Sequence, residues 1–213
     1  MSTTIAGIQI PDSQLARQAT ELVRDTETAL LYHHSRRVFL FGALSGKKRE
    51  LAFDPELLYI GAMFHDMGLM PAYSSATERF EVDGANASRD FLRRHGIAEA
   101  SIDIVWDAIA LHTTPGIPQH KKAEVALVTA GVEMDVLGLG FATVSDADRQ
   151  LVVDAHPRSP QFKEDIVEAF YQGIKHKPDT TFGNVKSDVM ALKDPHFHRT
   201  NFCSVIQNSA WPG

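Results

Sequence analysis

The sequence predicts an all-α protein. Apolar residues recur at helical spacing along most of the chain, whereas the alternation of apolar and polar residues that is typical of half-buried strands is scarce. Proline, glycine and capping residues separate the periodic stretches. The chain has 213 residues, of which 44% are hydrophobic and 23% charged. We therefore expect one domain over 1–213, with a core over about 14–140 and a C-terminal helical extension over about 141–213.

The first predicted helix covers 14–43 and is either one long helix or a kinked one. Asp12 or Ser13 can cap its start, because both side chains accept a hydrogen bond from free amides of the first turn. Apolar residues recur along it at near-helical spacing, until the stretch LSGKKRELAFD interrupts the pattern.

The second helix should begin at Asp54-Pro55-Glu56. A carboxylate cap, a proline where no amide donor is needed and an acid near the positive helix end all favour a start at this point. Gly68 should end the helix. The apolar run between them closes with His65 and Asp66, a polar pair in a segment that ought to be buried.

Further helices are expected through to the C-terminal region. Asp83 could cap a helix over 84–95 that ends at Gly96. The remaining predicted helices cover 99–113, 121–137, 145–154, 160–174 and 186–192.

Charge and composition exclude several functional classes. The formal net charge is −6 and no broad basic field exists, so we expect no nucleic-acid partner. No window approaches the roughly 18 consecutive apolar residues of a membrane span. Cys203 is the only cysteine, which rules out an intrachain disulfide, and the N-terminal stretch lacks the features of a signal peptide. A cytoplasmic location is therefore expected.

Four polar side chains lie on apolar stripes of three predicted helices. They are His34, His65, Asp66 and Asp135. A buried charge is normally paired or bound to a metal, and three helices could bring these groups together around a cation. Imidazole nitrogen and carboxylate oxygen suit zinc, iron, manganese or nickel, and the lack of thiolates argues against a cysteine-rich structural zinc site.

These residues lie in segments that resemble the HD-domain metal-dependent hydrolases. The stretches HHSRRV, FHDMG and GVEMDVLG are similar to the H…HD…D signature of that superfamily. More narrowly, the stretches HSRRVFLFG, HDMGL, ERFEVDGANASRDFL and ALHTTPG resemble its cyanamide hydratase branch. The similarity runs from about residue 20 to 140.

The resemblance implies an HD-domain helical bundle in which His34, His65, Asp66 and Asp135 ligate one divalent transition metal. Zinc is the first choice, with iron, manganese or nickel as alternatives. A metal in such a site acidifies a bound water, and in the hydratase the resulting hydroxide would add to the nitrile carbon of cyanamide and give urea. Asp66 could also take a proton from that water.

His112 is the second candidate catalytic residue, because it ends its helix on an apolar stripe. It could orient the substrate or shuttle a proton, although a cation at a helix C-terminus also has a purely stabilising role. Arg37 could instead pair with a carboxylate near the site, and Asp83 has its role as a cap. The candidate pocket residues are Arg37, Phe64, Arg79 and Glu81, with Phe80 and Phe182 as further aromatic candidates.

Other histidines receive weaker interpretations. His33 points about 100° away from His34 by helical geometry and is expected outside the metal shell. His120 lies in a proline-flanked loop, and His196 and His198 have a spacing that suits a strand or turn. Spacing alone gives little support for a second metal at any of them.

Three functions remain open from the sequence. The first is hydration or hydrolysis of a small neutral molecule, and the second is phosphohydrolysis of a nucleotide or other phosphate ester. Many HD phosphohydrolases have a lysine after the HD pair, whereas this chain has MGLM, which favours the first function. A closed, metal-stabilised sensor module is the third. The expected partner is a small-molecule substrate, and aromatic residues near NSAWPG could form an interface between copies of the chain.

Overall fold

The computed structural model describes residues 3–181, 183 and 185–212. The predicted all-α class is confirmed, because helices dominate the described residues and the strands form only one small antiparallel hairpin. That hairpin, which was not predicted, pairs β1 (Thr4–Ile5) with β2 (Ile8–Gln9). The helices are α1 (Gln14–Thr26), α2 (Ala29–Lys48), α3 (Pro55–Phe64), α4 (Phe80–Arg94), α5 (Glu99–Ala110), α6 (Ala123–Val132), α7 (Asp146–Ala155), α8 (Phe162–Ile174), α9 (Val185–Lys193) and α10 (Phe202–Gln207).

The predicted first helix is in fact two helices. The hydroxyl of Ser13 accepts a hydrogen bond from an amide of the first turn of α1, as the sequence suggested. The chain then becomes extended at Glu27, and the hydroxyl of Thr28 caps α2 by accepting from the amide of Leu31. The Thr28 side chain offers the backbone this alternative to a continuous helix. The prediction of one long or kinked helix over 14–43 was therefore wrong.

The start of α3 follows the prediction and its end does not. The carboxylate of Asp54 accepts hydrogen bonds from two backbone amides of the first turn. The α-helix ends at Phe64, four residues before the predicted stop, and a 3₁₀ turn follows at Met67–Leu69. A Cβ atom on Gly68 would lie 1.9 Å from the backbone oxygen of Phe80, so this glycine allows the turn to pack against the start of α4.

Asp83 does not cap α4. The helix begins at Phe80, which places Asp83 within the first turn, and its carboxylate accepts hydrogen bonds from the Ser75 amide and the Lys177 ammonium. Gly96 has a φ of +70° just beyond the helix, in agreement with the predicted end.

The core is built around α2, which packs mainly against α6 and α3. A Cβ atom on Gly131 would lie only 2.1 Å from the backbone oxygen of Val38, so glycine permits the close approach of α6 to α2. A five-residue π-helical turn, Glu133–Leu137, continues α6 and carries Asp135. The packing of α2 against α3 and α6 therefore brings three histidine- or carboxylate-bearing segments together.

The C-terminal extension covers one side of this core. The indole nitrogen of Trp211 donates to the backbone oxygen of Met134 at 2.7 Å. Phe162 and Ile166 of α8 join a second apolar cluster with Leu31 of α2. Phe182, one of the predicted pocket residues, lies outside the described residues. None of the described helices combines the length and apolar character that crossing a membrane requires.

Candidate metal centre

Three of the four predicted ligands form one buried cluster. His34 lies within α2, whereas His65 and Asp66 follow the last residue of α3, and all three side chains are fully buried. The Nε2 atoms of the two histidines lie 3.2 Å apart. The Oδ2 atom of Asp66 lies 3.2 Å from Nε2 of His65 and 3.7 Å from Nε2 of His34. These ligand atoms could hold one metal ion between them.

Hydrogen bonds on the far side of each ring fix which nitrogen faces the centre. Nδ1 of His65 donates to the backbone oxygen of Ala62 at 2.7 Å, and Nδ1 of His34 donates to Asp135 at 2.7 Å. A neutral imidazole with its proton on Nδ1 has its lone pair on Nε2. Both histidines therefore present lone pairs toward Asp66.

The donor set fits a divalent cation. Both carboxylate oxygens of Asp66 are buried without a hydrogen-bond partner, and two imidazole lone pairs face each other beside them. Atoms that share an ion at bond lengths of about 2.1 Å lie roughly 3.0–3.6 Å apart for ordinary bond angles. The two separations of 3.2 Å fall within this range, and the separation of 3.7 Å lies just above it. A bound cation would satisfy Asp66 and both histidines at once, and nitrogen with oxygen ligands suits a transition metal.

Electrostatics keeps Asp66 ionised. Burial alone would raise the pKa of this carboxyl group, but the neighbouring ring of His65, with further contributions from His34 and His112, reverses the effect and lowers the pKa. The opposite happens at His65, where Asp66 outweighs burial and raises the pKa of the ring. Asp66 is therefore available as an anionic ligand.

Asp135, which was predicted to be the fourth ligand, lies behind His34 instead of beside the other ligand atoms. Oδ1 accepts from Arg37 and Arg158, both at 2.8 Å, while Oδ2 accepts from His34 at 2.7 Å and from Arg37 at 2.9 Å. These donors occupy the carboxylate oxygens, and Asp135 does not join the cluster of His34, His65 and Asp66. In this geometry it orients His34 from behind, as carboxylates commonly do for metal-binding histidines.

Two guanidinium groups surround Asp135. Arg37 is fully buried, and it also donates to the backbone oxygen of His156 at 3.1 Å. Both Arg37 and Arg158 lie over the ring of Phe162, with their guanidinium carbons 5.0 Å and 3.8 Å from the ring centroid. Burial would raise the pKa of Asp135, but the two arginines and His34 lower it instead. Arg37 therefore pairs with Asp135, as the sequence also allowed, and does not line the pocket as predicted.

Arg158 and Phe162 were missed by the sequence analysis. They belong to the C-terminal extension, about 25 residues after Asp135, and the chain only brings them back after α7. No spacing pattern links them to the HHSRRV segment.

His112 lies beside the cluster. Its Nδ1 donates to the backbone oxygen of Ile109 at 2.6 Å, and its Nε2 is buried with no hydrogen-bond partner, 3.8 Å from Oδ1 of Asp66. The ring meets that of His65 edge to face, with centroids 4.9 Å apart. Burial and the adjacent His65 lower the pKa of His112 to about 4, so the ring is neutral near pH 7.

A pocket of about 480 Å³ opens beside His112. Phe80, Val132, Val136, Phe170 and Phe202 form much of its apolar wall. Of the predicted pocket residues, Arg79 and Glu81 lie in it, and so does Phe80. Phe64 does not, because its fully buried ring packs against Phe91 in the core, so this prediction was wrong.

The charged groups of the pocket are few. Arg79 donates to Glu81 at 2.6 Å, and the Thr113 hydroxyl donates to the same carboxylate. Glu133 also borders the pocket, and partial burial raises the pKa of its carboxyl group. Glu133 lies two residues before Asp135 in the sequence, and it was not predicted as a pocket residue.

The other histidines do not extend the metal site. Nδ1 of His33 faces Nδ1 of His156 at 3.5 Å, away from the cluster. His120, His196 and His198 join no such group, since His34, His65 and Asp66 form the one cluster of this kind within residues 3–181, 183 and 185–212.

Comparisons with known proteins agree with this geometry. The model of one family, described as HD domain, matches residues 31–149, which is more than half of the chain. Members of this family are generally metal-dependent hydrolases. A search of curated proteins finds no match. The match includes all residues of the buried cluster, and the chain belongs to the HD domain family.

Proposed function

We propose that the protein is a metal-dependent hydratase or hydrolase that acts on a small uncharged substrate, in the manner of cyanamide hydration to urea. The family and the buried cluster support metal-dependent chemistry. Three protein ligands leave positions open on a cation that accepts four to six, as catalytic rather than closed structural sites do. This argues for an enzyme rather than a metal-stabilised sensor module.

The observation that carries the choice of substrate is the charge of the pocket. Arg79 is the one lysine or arginine among the described residues that line it, and its charge is already matched by Glu81. Glu133 adds a second acid. A phosphate ester needs unmatched cations around its oxygens, whereas an uncharged substrate needs none. Arg37 and Arg158 offer no alternative, because neither lines this pocket and both donate to Asp135.

Each polar residue has a role in this proposal. His34, His65 and Asp66 hold the metal, and Asp135 keeps Nε2 of His34 turned toward it. A bound divalent ion lowers the pKa of a coordinated water and polarises the substrate. His112 stands where the pocket reaches the cluster, with the free lone pair of its Nε2 available to accept a proton or to orient the reacting group.

Aromatic rings form the apolar wall beside His112. Phe80 packs edge-on against His112, with ring centroids 5.6 Å apart, and Phe170 packs in turn against Phe80. Glu81 is only 4% exposed, and its bonds to Arg79 and Thr113 fix it as an acceptor at the pocket edge. An apolar enclosure strengthens each remaining polar contact with a substrate.

The experiment compares two chemistries in one preparation. Protein loaded in turn with zinc, iron, manganese or nickel is incubated with cyanamide and assayed for urea, in parallel with a nucleotide panel assayed for phosphate. We expect urea production that is lost in Asp66→Ala and reduced at least about a hundredfold in His112→Ala. The exposed His198→Ala variant is the matched control.

Phosphate release without urea, lost in the same Asp66→Ala variant, would replace this proposal with an HD phosphohydrolase. Absence of both activities with a correctly loaded metal would mean that cyanamide is not the substrate and would favour the sensor module.

A further inference from the structure

A second polar cluster lies on the opposite side of α2 from the metal ligands. Its centre is Arg36, whose residue is only 9% exposed. The guanidinium donates from Nε to Nε2 of His156 at 3.3 Å and from Nη1 to the hydroxyl of Tyr59. In the part of the chain that the structure describes, no carboxylate lies within 4.0 Å of it, in contrast to Arg37 and Arg158.

The neighbours of Arg36 do not supply a negative charge. Burial raises the pKa of Tyr59, so its hydroxyl is neutral when it accepts from Arg36. Burial and the adjacent cationic groups, Arg36 first among them, lower the pKa of His156 to about 3. A buried cation is costly unless an anion accompanies it, and none of the described residues places a carboxylate within 4.0 Å of Arg36.

A cavity of about 400 Å³ borders this cation. The first residues of the chain, Arg17 of α1 and the end of α7 at His156 form its walls. Arg17 also has no carboxylate within 4.0 Å among the described residues, and one of its Nη atoms is anchored on the backbone oxygen of Asp12. Asp12 is the one acidic residue among the described residues that line the cavity. Two arginines against one aspartate leave a positive excess.

We propose that this cavity binds a small molecule through a carboxylate or phosphate group, with Arg36 and Arg17 as its charged donors. Guanidinium groups match both kinds of oxyanion in shape and charge. The remaining wall is largely apolar, with Ile5, Ile10 and Pro11, so the cavity has room for an apolar part beyond the anionic group. The residues that line this cavity are different from those of the pocket beside His112.

The test is calorimetric titration of the full-length protein with inorganic phosphate and, separately, with acetate, at constant ionic strength set by chloride. We expect saturable binding of one anion per chain. Arg17→Gln should raise the Kd about tenfold, because one charged donor is removed, and Asp12→Asn should lower the Kd. Arg24→Gln, an exposed arginine of the same helix, should leave the Kd unchanged.

Arg36→Gln should abolish the heat of binding in protein whose circular dichroism is unchanged. If that variant does not fold, the Kd values of Arg17→Gln and Asp12→Asn still show whether the anion binds in this cavity. The His65→Ala variant should retain binding, because the metal cluster lies elsewhere. No saturable heat with either anion up to about 10 mM, or binding that survives Arg17→Gln and disappears in His65→Ala, would overturn the proposal. Binding of phosphate alone or acetate alone identifies which oxyanion the site accepts.

Discussion

Nδ1 of His34 lies 2.7 Å from Oδ2 of Asp135, and this hydrogen bond determines which nitrogen of His34 faces the metal centre. The same carboxylate forms ion pairs with both Arg37 and Arg158. Asp135 therefore links the orientation of a metal-binding ring to the packing of the C-terminal extension. Its loss should affect both metal affinity and stability.

Asp135→Asn should weaken metal binding by about 10–100-fold, the usual effect of losing a partner behind a ligating histidine. Asp66→Asn, which alters a ligand itself, should weaken it far more. Competition against a chelator of known affinity measures both values. Equal losses in the two variants would show that Asp135 is itself a ligand and would contradict the placement of this residue behind His34.

Asp135→Asn should also lower the free energy of unfolding of the metal-free protein, because the fully buried Arg37 and the half-buried Arg158 would lose their anion. Breaking a buried ion pair from one side commonly costs about 3–5 kcal/mol. Urea denaturation in the presence of chelator gives this value separately from metal binding. A loss below about 1 kcal/mol would mean that the guanidinium groups find other partners.

Glu27 should make the metal-free protein less stable as the pH rises. It is 8% exposed, and burial, followed by the charge of Asp66, raises its pKa well above the ordinary 4.5. The folded protein holds this proton more tightly than the unfolded chain, so the stabilising contribution exists below pH 4.5 and is lost as the pH rises through the folded-state pKa.

Glu27→Gln removes this titration and keeps a hydrogen-bond acceptor for Ser35, whose hydroxyl lies 3.3 Å from Glu27. Its stability relative to the wild type should therefore increase from pH 4 to pH 8, as measured by urea denaturation with chelator present. Glu21→Gln, at an exposed position of α1, controls for the removal of one negative charge. A pH-independent difference would contradict the raised pKa.

Gly131→Ala should be strongly destabilising. The added Cβ would lie 2.1 Å from the backbone oxygen of Val38, and a backbone atom in the middle of α2 cannot move aside without separating the helices. Overpacking of this kind costs about 1–3 kcal/mol or more. Thermal denaturation of Gly61→Ala is the control, because its added Cβ would meet a side-chain atom of Val128 at 3.0 Å. A smaller loss in Gly131→Ala than in Gly61→Ala would contradict this packing.

The buried pair of Lys177 and Asp83 should hold the segment after α8 against α4. The two groups are 2.6 Å apart, and they are 2% and 7% exposed. Lys177→Met should lower the free energy of unfolding by about 3–5 kcal/mol, because Asp83 would be left buried with only the amide of Ser75 as a partner. The double variant Lys177→Met/Asp83→Asn should recover part of this loss. A double variant less stable than Lys177→Met would contradict a charge effect.

Helical periodicity and capping residues were sufficient to predict most helices and which of their positions are buried. Asp54 caps α3 as its side-chain chemistry requires, and the apolar stripes that carry His34 and His65 are indeed buried. Boundaries failed where a competing local contact decided them, as at Thr28 between α1 and α2. The end of α3 before His65 depends on the approach of α4 to Gly68, which only the folded chain defines.

The partners of the buried carboxylates could not be predicted from the sequence. Asp135 was expected to be a metal ligand because it lies on an apolar stripe. Its partner Arg158 could not be predicted, since nothing nearby in the sequence marks it. Asp83 has the local features of a cap, yet it pairs with Lys177, 94 residues further along. These partners come from the C-terminal extension, and they depend on long-range packing rather than on helical periodicity.

Metal stoichiometry decides whether His34, His65 and Asp66 form a metal centre. It is measured in wild-type protein and in His65→Ala by elemental analysis after dialysis against a divalent transition metal. We expect one ion per chain in the wild type and essentially none in His65→Ala, with circular dichroism showing that the variant is folded. Retention of one ion per chain by folded His65→Ala protein, or no ion in the wild type, would contradict a metal centre formed by His34, His65 and Asp66.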